Sequence, residues 1–211
     1  MTTTPTTPPT APRKGLVLDF GGVLTTPLLP AALAFEKRAG LAEGTLLHTL
    51  YLDPEMVRHT EDLERGTITQ SRWNAEAGRR LGIAAENLMG RIFADLRPET
   101  ALVAVADAAR RAGVKVAILS NSVGRTPWNL YEGYDLAYDA VVISEDHGLR
   151  KPEPEIFELV LKELGLTADQ CVFVDDTPQH LSPAAALGFA TVHAQDPRRT
   201  VAEVTALLGL A

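Results

Sequence analysis

What this chain has little of already narrows what it can be. Among 211 residues there is a single cysteine, Cys171, so an internal disulfide is impossible. A zinc site built on two or more cysteines of this chain is excluded as well. Basic residues are in deficit: 20 Lys and Arg stand against 27 Asp and Glu, a formal charge of −7. A nucleic-acid binder needs the opposite balance to meet the phosphates, and an anionic membrane surface repels an acidic chain for the same reason. No apolar run approaches the ~18 residues of a membrane span. The N-terminal MTTTPTTPPTAPRK has no hydrophobic stretch of the kind a secretory signal carries. There are no internal repeats. The compartment these features lead us to expect is the reducing cytoplasm.

What is present is a foldable chain. Hydrophobic residues make up 45% of it, and its length suits one domain or a domain with a modest insert. Residues 1–13 are the exception: with six Thr and four Pro in the first 14 residues, this stretch cannot build a core and reads as a disordered tail. Five short runs rich in Val, Ile and Leu follow, at Leu16–Phe20, Val114–Ser120, Ala140–Ser144, Cys171–Val174 and Ala190–His193. Each is nearly continuously apolar rather than alternating, as in strands buried on both faces of a parallel sheet. Cys171, at the head of one run, reads as a small core residue.

Helical patterns lie between the later runs. Pro98–Ala112, Pro154–Leu164 and Pro197–Leu208 have apolar residues at helical spacing, and Gly165 suits a C-cap. Alternating strands and helices predict an α/β fold with a doubly wound parallel sheet. One interval breaks the alternation. More than 90 residues separate the first and second runs, with helical patterns near 31–39, 43–50, 54–65, 69–81 and 85–96. That is too long for a simple crossover. The expected organisation is a core of residues 14–26 and 98–211, with a helical subdomain inserted at 27–97.

Polar residues cluster where those strands should end, which is where ligands bind in open α/β sheets. Asp19 closes the first run and is followed by Phe20-Gly21-Gly22, two glycines that permit a tight turn. Ser120-Asn121 closes the second. Lys151 precedes Pro152-Glu153-Pro154. Asp175-Asp176 closes the fourth. Singly, each has an ordinary explanation as a cap, a turn or a solvated charge. Together they place four polar groups at the same end of one sheet.

Their order and content resemble the haloacid dehalogenase-like (HAD) hydrolase superfamily, over about residues 14–211. Asp19, Ser120, Lys151 and Asp175-Asp176 match its four motifs in turn. The stretches GLRKPEPEIFELVLKELGL and FVDDTPQHLSPAAALGFATV match it in texture. The resemblance implies a Rossmann-like sheet of order 5-4-1-2-3, and a C1-type cap of four helices where this chain has its insert. It implies that Asp19 is a nucleophile forming an aspartyl-phosphate. Mg²⁺ would be held by the Asp19 carboxylate, the Gly21 backbone carbonyl and the Asp176 side chain. Asp175 would stand in the outer shell. Lys151 would offset negative charge, and Ser120 with the Asn121 backbone N–H would bind phosphoryl oxygens.

The chain departs from the pattern at one chemically important place. Most phosphatases of this family carry a second Asp two residues after the nucleophile, which protonates the leaving oxygen and then activates water. Here that position is Gly21. A backbone carbonyl still serves a metal, but the general acid–base is gone, a group that contributes about 10²–10⁴-fold. Three readings stay open. The leaving group departs unprotonated, as an acyl phosphate or diphosphate permits; another group such as Thr25, Thr26, His48 or His59 supplies the proton; or catalysis is weak or absent. Related branches without this Asp do catalyse chemistry. A second departure is Gln179-His180, where relatives often have Asn.

Three functions compete: a Mg²⁺-dependent phosphatase of a small phosphorylated molecule, a 2-haloacid dehalogenase, and a non-catalytic binding or regulatory protein. The acidic pair favours the first, because displacing halide from carbon requires no metal. Tyr51, Arg58, His59, Arg72 and Trp73 are candidates for substrate choice, although Trp73, spaced with Ala77 and Leu81, fits a helical core better. Trp128-Asn129-Leu130-Tyr131, after the second motif, is a candidate for the pocket rim. Substrate and oligomeric state are not legible.

Overall fold

A computed structural model of the chain describes residues 12–134 and 138–210. The expected tail at 1–13 falls mostly outside them. The five apolar runs form strands β1 (Gly15–Leu18), β2 (Lys115–Ser120), β3 (Ala140–Ile143), β4 (Cys171–Asp175) and β5 (Ala190–His193). All pair in parallel in the order β3-β2-β1-β4-β5, the expected order read from its other edge. Side chains alternate across the sheet. Leu16, Leu18, Val116, Ile118, Val172 and Val174 face one apolar layer. Val17, Ala117, Leu119, Cys171 and Phe173 face the other. Both faces of the three central strands are buried, which is why their runs are nearly continuously apolar, whereas in the edge strand β3 Val141 is exposed.

Helices cover both faces. α6 (Thr100–Arg111) and α9 (Pro197–Leu208) supply Leu102, Val105, Val204 and Leu208 to the first layer. α7 (Pro154–Leu164) and α8 (Pro178–Leu187) supply Ile156, Phe157, Val160 and Ala184 to the second. α7 keeps its expected bounds, and Gly165 closes it at φ 64°. α8 has no counterpart in the sequence reading. Proline occupies its first turn and recurs inside it at Pro183, and Ala184 is its one fully buried side chain. It therefore carries a helix-breaking signal and almost no apolar periodicity.

The long interval is helical, as expected. It comprises α1 (Leu28–Arg38), α2 (Thr45–Leu47), a π-helical turn at His48–Leu52, α3 (Pro54–Glu64), α4 (Gln70–Leu81) and α5 (Leu88–Ile92). The helix expected at 43–50 is a short α-helix running into that π turn, closed by Asp53 N–H donating to the His48 carbonyl at 3.0 Å. Asp53 must be extended before Pro54, and its carboxylate caps α3 by accepting from Glu55 and Met56 N–H. The helix expected at 85–96 shortens because Asn87 takes a left-handed conformation. Phe35, Leu46, Met56, Leu63, Trp73, Leu88 and Ile92 form a separate apolar cluster. The chain enters and leaves this insert side by side: Thr26 N–H donates to the Arg97 carbonyl (2.8 Å) and Glu99 N–H to that of Leu24 (2.9 Å).

Candidate active site

Parallel register gathers the polar residues. Leu18 lies opposite Ile118 on one side and Val174 on the other. The next residue, Asp19, therefore emerges beside Asp175, and its N–H donates to the Val174 carbonyl at 2.9 Å. Ser120 ends the neighbouring strand. The loop before α7 reaches over to place Lys151 among them. Its side chain is wholly buried, with Nζ 2.9 Å from Asp19 Oδ1 and 2.7 Å from Asp175 Oδ2.

Burial and charge then set the protonation of each group. Burial alone would pull the Lys151 ammonium down, but the carboxylates of Asp175 and Asp19 hold its pKa above the ordinary value. Burial pushes Asp175 up, and Lys151 and His180 more than reverse this, holding it at about 2. Asp19 goes the other way, raised to about 7. Burial outweighs Lys151 there, and repulsion from Asp175 and Asp176 adds to it. Asp176 is raised too, by burial and by Asp175.

Three acids around one lysine leave surplus negative charge. Carboxylate oxygens of Asp19, Asp175 and Asp176 lie within 4.8 Å of one another, close enough to share a cation. Asp175 is already committed: Oδ1 accepts from Thr177 N–H and meets His180 Nδ1, and Oδ2 accepts from Lys151. Asp19 and Asp176 are thus the carboxylates with capacity to spare, and hard oxygens of this kind fit Mg²⁺. The turn after Asp19 keeps the gap narrow. Thr25 Oγ1 accepts from Gly22 N–H at 2.9 Å, and Gly22 sits at φ +75°, where a Cβ would lie 2.2 Å from Asp176 Oδ2. Only glycine fits there.

On the other side of Asp19, Tyr131 hydroxyl donates to Ser120 Oγ at 3.1 Å, and Ser120 Oγ–H reaches the Asn121 carbonyl at 3.3 Å. The Asn121 amide straps Lys151. Its Oδ1 accepts from Lys151 N–H (2.8 Å), and its Nδ2 donates to the Lys151 carbonyl (3.0 Å).

The sequence reading missed the residues that bring the insert to this site. Glu64, the last residue of α3, accepts from Asn121 Nδ2 (3.3 Å) and from Arg150. Its carboxyl is raised, chiefly by burial against the pull of Arg150. Arg65 pairs with Glu153 and donates to the Gly148 carbonyl. Gln70 is fastened to the loop after Asn121: Nε2 donates to the carbonyls of Val123, Gly124 and Trp128, and Oε1 accepts from Trp128 N–H. These partners stand more than 50 residues apart in sequence, so no local pattern announces them.

Of the other sequence candidates, Tyr51 stands near the site, its hydroxyl pKa raised by burial and by the charges of Asp176 and Glu64; the rest sit elsewhere. Trp73 is core of the insert, 2% exposed, with its indole N–H donating to Thr60. Arg58, His59 and Arg72 line a cavity of about 670 Å³ with Glu55, Asp62, Glu76, Arg79 and Arg80; none of the clustered acids lines it. Thr25 is buried and engaged, and Thr26 Oγ1 accepts from Arg97 N–H. Cys171 is buried, its thiol pushed up to about 11 by burial. No helix among the described residues is long and apolar enough to cross a membrane.

A parallel sheet with an acid ending its first strand, a buried lysine against it and an acidic pair ending its fourth is the setting of a hydrolase site on a Rossmann-like core. The chain belongs to the haloacid dehalogenase-like hydrolases, whose family it matches over residues 13–188. It is 26% identical over 204 residues to the sesquiterpene phosphatase astK of Aspergillus oryzae, covering 93% of this chain and 97% of that one. It is 27% identical over 205 residues to acyl-CoA dehydrogenase family member 10 of the mouse, of which it spans only 19%. In fold it is similar to a HAD family enzyme of Bacteroides thetaiotaomicron in its magnesium complex, with a TM-score of 0.64 at 21% identity, covering 87% of this chain and 95% of that one.

Proposed function

We propose that the chain is a cytoplasmic, Mg²⁺-dependent phosphatase that hydrolyses a small phosphorylated molecule through an aspartyl-phosphate on Asp19. The observation that carries this reading is the fully buried Lys151 holding Asp19 beside a second carboxylate, Asp176, whose Oδ1 accepts from Thr177 Oγ1 and whose Oδ2 has capacity to spare. A haloacid dehalogenase would leave Asp176 without work. Relatives that are phosphatases support the choice.

Ser120 Oγ–H, the Asn121 N–H and Lys151 take the phosphoryl oxygens and stabilise the charge that builds on them. Asp19 attacks phosphorus as the leaving oxygen departs, and water then attacks the aspartyl-phosphate and frees the carboxylate. Mg²⁺ on Asp19, the Gly21 carbonyl and Asp176 would screen the two anions and polarise the phosphoryl group. Asp175 fixes Lys151 from the outer shell. Gly21 cannot protonate a leaving oxygen, so aryl and acyl phosphates need the least help. The insert, residues 27–97, acts as a cap over the core at 14–26 and 98–211, with its own apolar cluster and the Glu64, Arg65 and Gln70 ties supporting this division.

The test is a phosphate-release screen over phosphoesters and phosphoanhydrides, with Mg²⁺ or EDTA, on wild type and Asp19→Asn. Turnover that needs both Mg²⁺ and Asp19 is expected. Halide release from 2-haloacids without phosphate release would replace this reading with the dehalogenase one.

A further inference from the structure

The reaction proposed above leaves one task unassigned. An alkoxide is a poor leaving group, and the position that would protonate it is Gly21. We propose that His180, held by Asp175, is the proton donor to the leaving oxygen. This rests on the phosphatase reading.

The geometry is that of an oriented imidazole. His180 stands in the first turn of α8, with Nδ1 3.0 Å from Asp175 Oδ1 and 3.1 Å from Oδ2. Asp175 is itself pinned by Lys151 at 2.7 Å and Thr177 N–H at 2.8 Å. An ionised Asp175 accepts only, so Nδ1 carries the hydrogen of that contact and Nε2 is the nitrogen left to exchange a proton. Nε2 makes no hydrogen bond with the described residues and is not sealed from solvent; the side chain is 14% exposed. The charged groups facing the ring are Asp175 and Asp176 at the end of β4, with Lys151 behind Asp175, and Glu64 of α3 from the insert. His180 thus stands at the seam between core and insert. With the phosphoryl group held by Ser120, Lys151 and Asp19, the leaving group extends to that seam.

The two departures from the family pattern then explain each other. An asparagine at position 180 could keep a hydrogen bond to Asp175 but could not carry a proton. A histidine can do both, in a chain whose usual acid is missing. In the first step the Asp19–phosphorus bond forms, the phosphorus–oxygen bond to the leaving group breaks, and that oxygen takes the Nε2 proton. Neutral His180 next accepts a proton from the water that attacks phosphorus. Inorganic phosphate leaves, and both residues return to their starting state.

The experiment compares kcat/KM on an alkyl phosphate and on 4-nitrophenyl phosphate, whose leaving group needs no proton, for wild type, His180→Asn and His180→Gln. Both variants are first checked for folding by circular dichroism. We expect the alkyl phosphate to lose about 10²-fold or more and the aryl phosphate only a few-fold, as removal of a general acid requires. Gly21→Asp placed in His180→Asn should restore much of the alkyl rate. An equal loss on both esters, or none on the alkyl ester, overturns the role of His180 and leaves the phosphatase standing. Wild-type turnover of neither ester, or turnover that survives Asp19→Asn, overturns both.

Discussion

Lys151→Met removes the one cation that the described residues place between Asp19 and Asp175, while keeping the volume of the side chain. The lysine is completely buried and makes both contacts at under 3 Å, 2.9 Å to Asp19 and 2.7 Å to Asp175. Its worth can be worked from Asp175. Burial raises that carboxyl, yet Lys151 and His180 bring it from 3.8 down to about 2. A shift of roughly two units at ~1.4 kcal/mol each is about 2–3 kcal/mol of folding free energy. Because the folded pKa is depressed, this contribution is present above the unfolded value of 3.8 and is lost as pH falls through about 2. In the methionine variant burial acts on Asp175 with far less opposition, so the sign reverses. The carboxylate then costs stability at neutral pH and is relieved by protonation. Adding that cost brings the expected loss to about 3–5 kcal/mol near pH 8, as for other buried pairs broken on one side. Urea unfolding in EDTA, near pH 8 and again near pH 5, measures it. The penalty should shrink on acidification. A loss below about 1 kcal/mol near pH 8, or a penalty that grows as the solution is acidified, would refute the reasoning.

Three other perturbations give distinct readouts. Gly22→Ala puts a Cβ where it would meet Asp176 Oδ2 at 2.2 Å on a backbone at φ +75°, so it should cost about 1–3 kcal/mol in urea unfolding and weaken Mg²⁺ at least ~10-fold by calorimetry. Asp19, raised to about 7 by burial and its acidic neighbours, must lose its proton to take a cation. Mg²⁺ affinity should therefore rise by up to about tenfold per pH unit below pH 7, with proton release seen as buffer-dependent heat. Flat affinity from about pH 6 to 8 contradicts this. Gln70→Ala strands three carbonyls and one N–H and should cost about 2–3 kcal/mol. Gln70→Glu should cost at least as much, because a carboxylate donates nothing to the carbonyls of Val123, Gly124 and Trp128.

The parts of this molecule that were legible in the sequence are those governed by local rules. Strands buried on both faces announce themselves as nearly unbroken apolar runs, so β1, β2 and β4 and the residues at their ends are read directly, and the edge strands β3 and β5 follow as shorter runs of the same kind. α7 was bounded by Pro154 and Gly165, a proline start and a glycine stop. α8 has the same proline start and glycine stop, Pro178 and Gly188, but Pro183 sits inside it and little of it is buried, so no apolar periodicity marks it as a helix. The helix expected at 85–96 was cut short by the backbone of Asn87, which no hydrophobic pattern reports. At the site, the sheet order sets Asp19, Ser120 and Asp175-Asp176 at neighbouring strand ends, and the loop before α7 brings Lys151 to Asp19 and Asp175. Glu64 and Gln70 were invisible. Each is a polar residue in an amphipathic helix, ordinary until the fold brings it to Asn121 or to the Val123–Trp128 loop. His180 stands out in the sequence for its place where relatives often have Asn and for its nearness to Asp176; its pairing with Asp175 five residues back requires the turn into α8.

The central claim is that Asp19 becomes phosphorylated. Mass spectrometry of the protein quenched in acid during turnover of an aryl phosphate with Mg²⁺ addresses it directly. The account predicts a peptide containing Asp19 heavier by one phosphoryl group, absent in EDTA and absent in Asp19→Asn. Phosphate release with the label on another residue, or turnover with no covalent adduct under conditions that trap acyl phosphates, would contradict it.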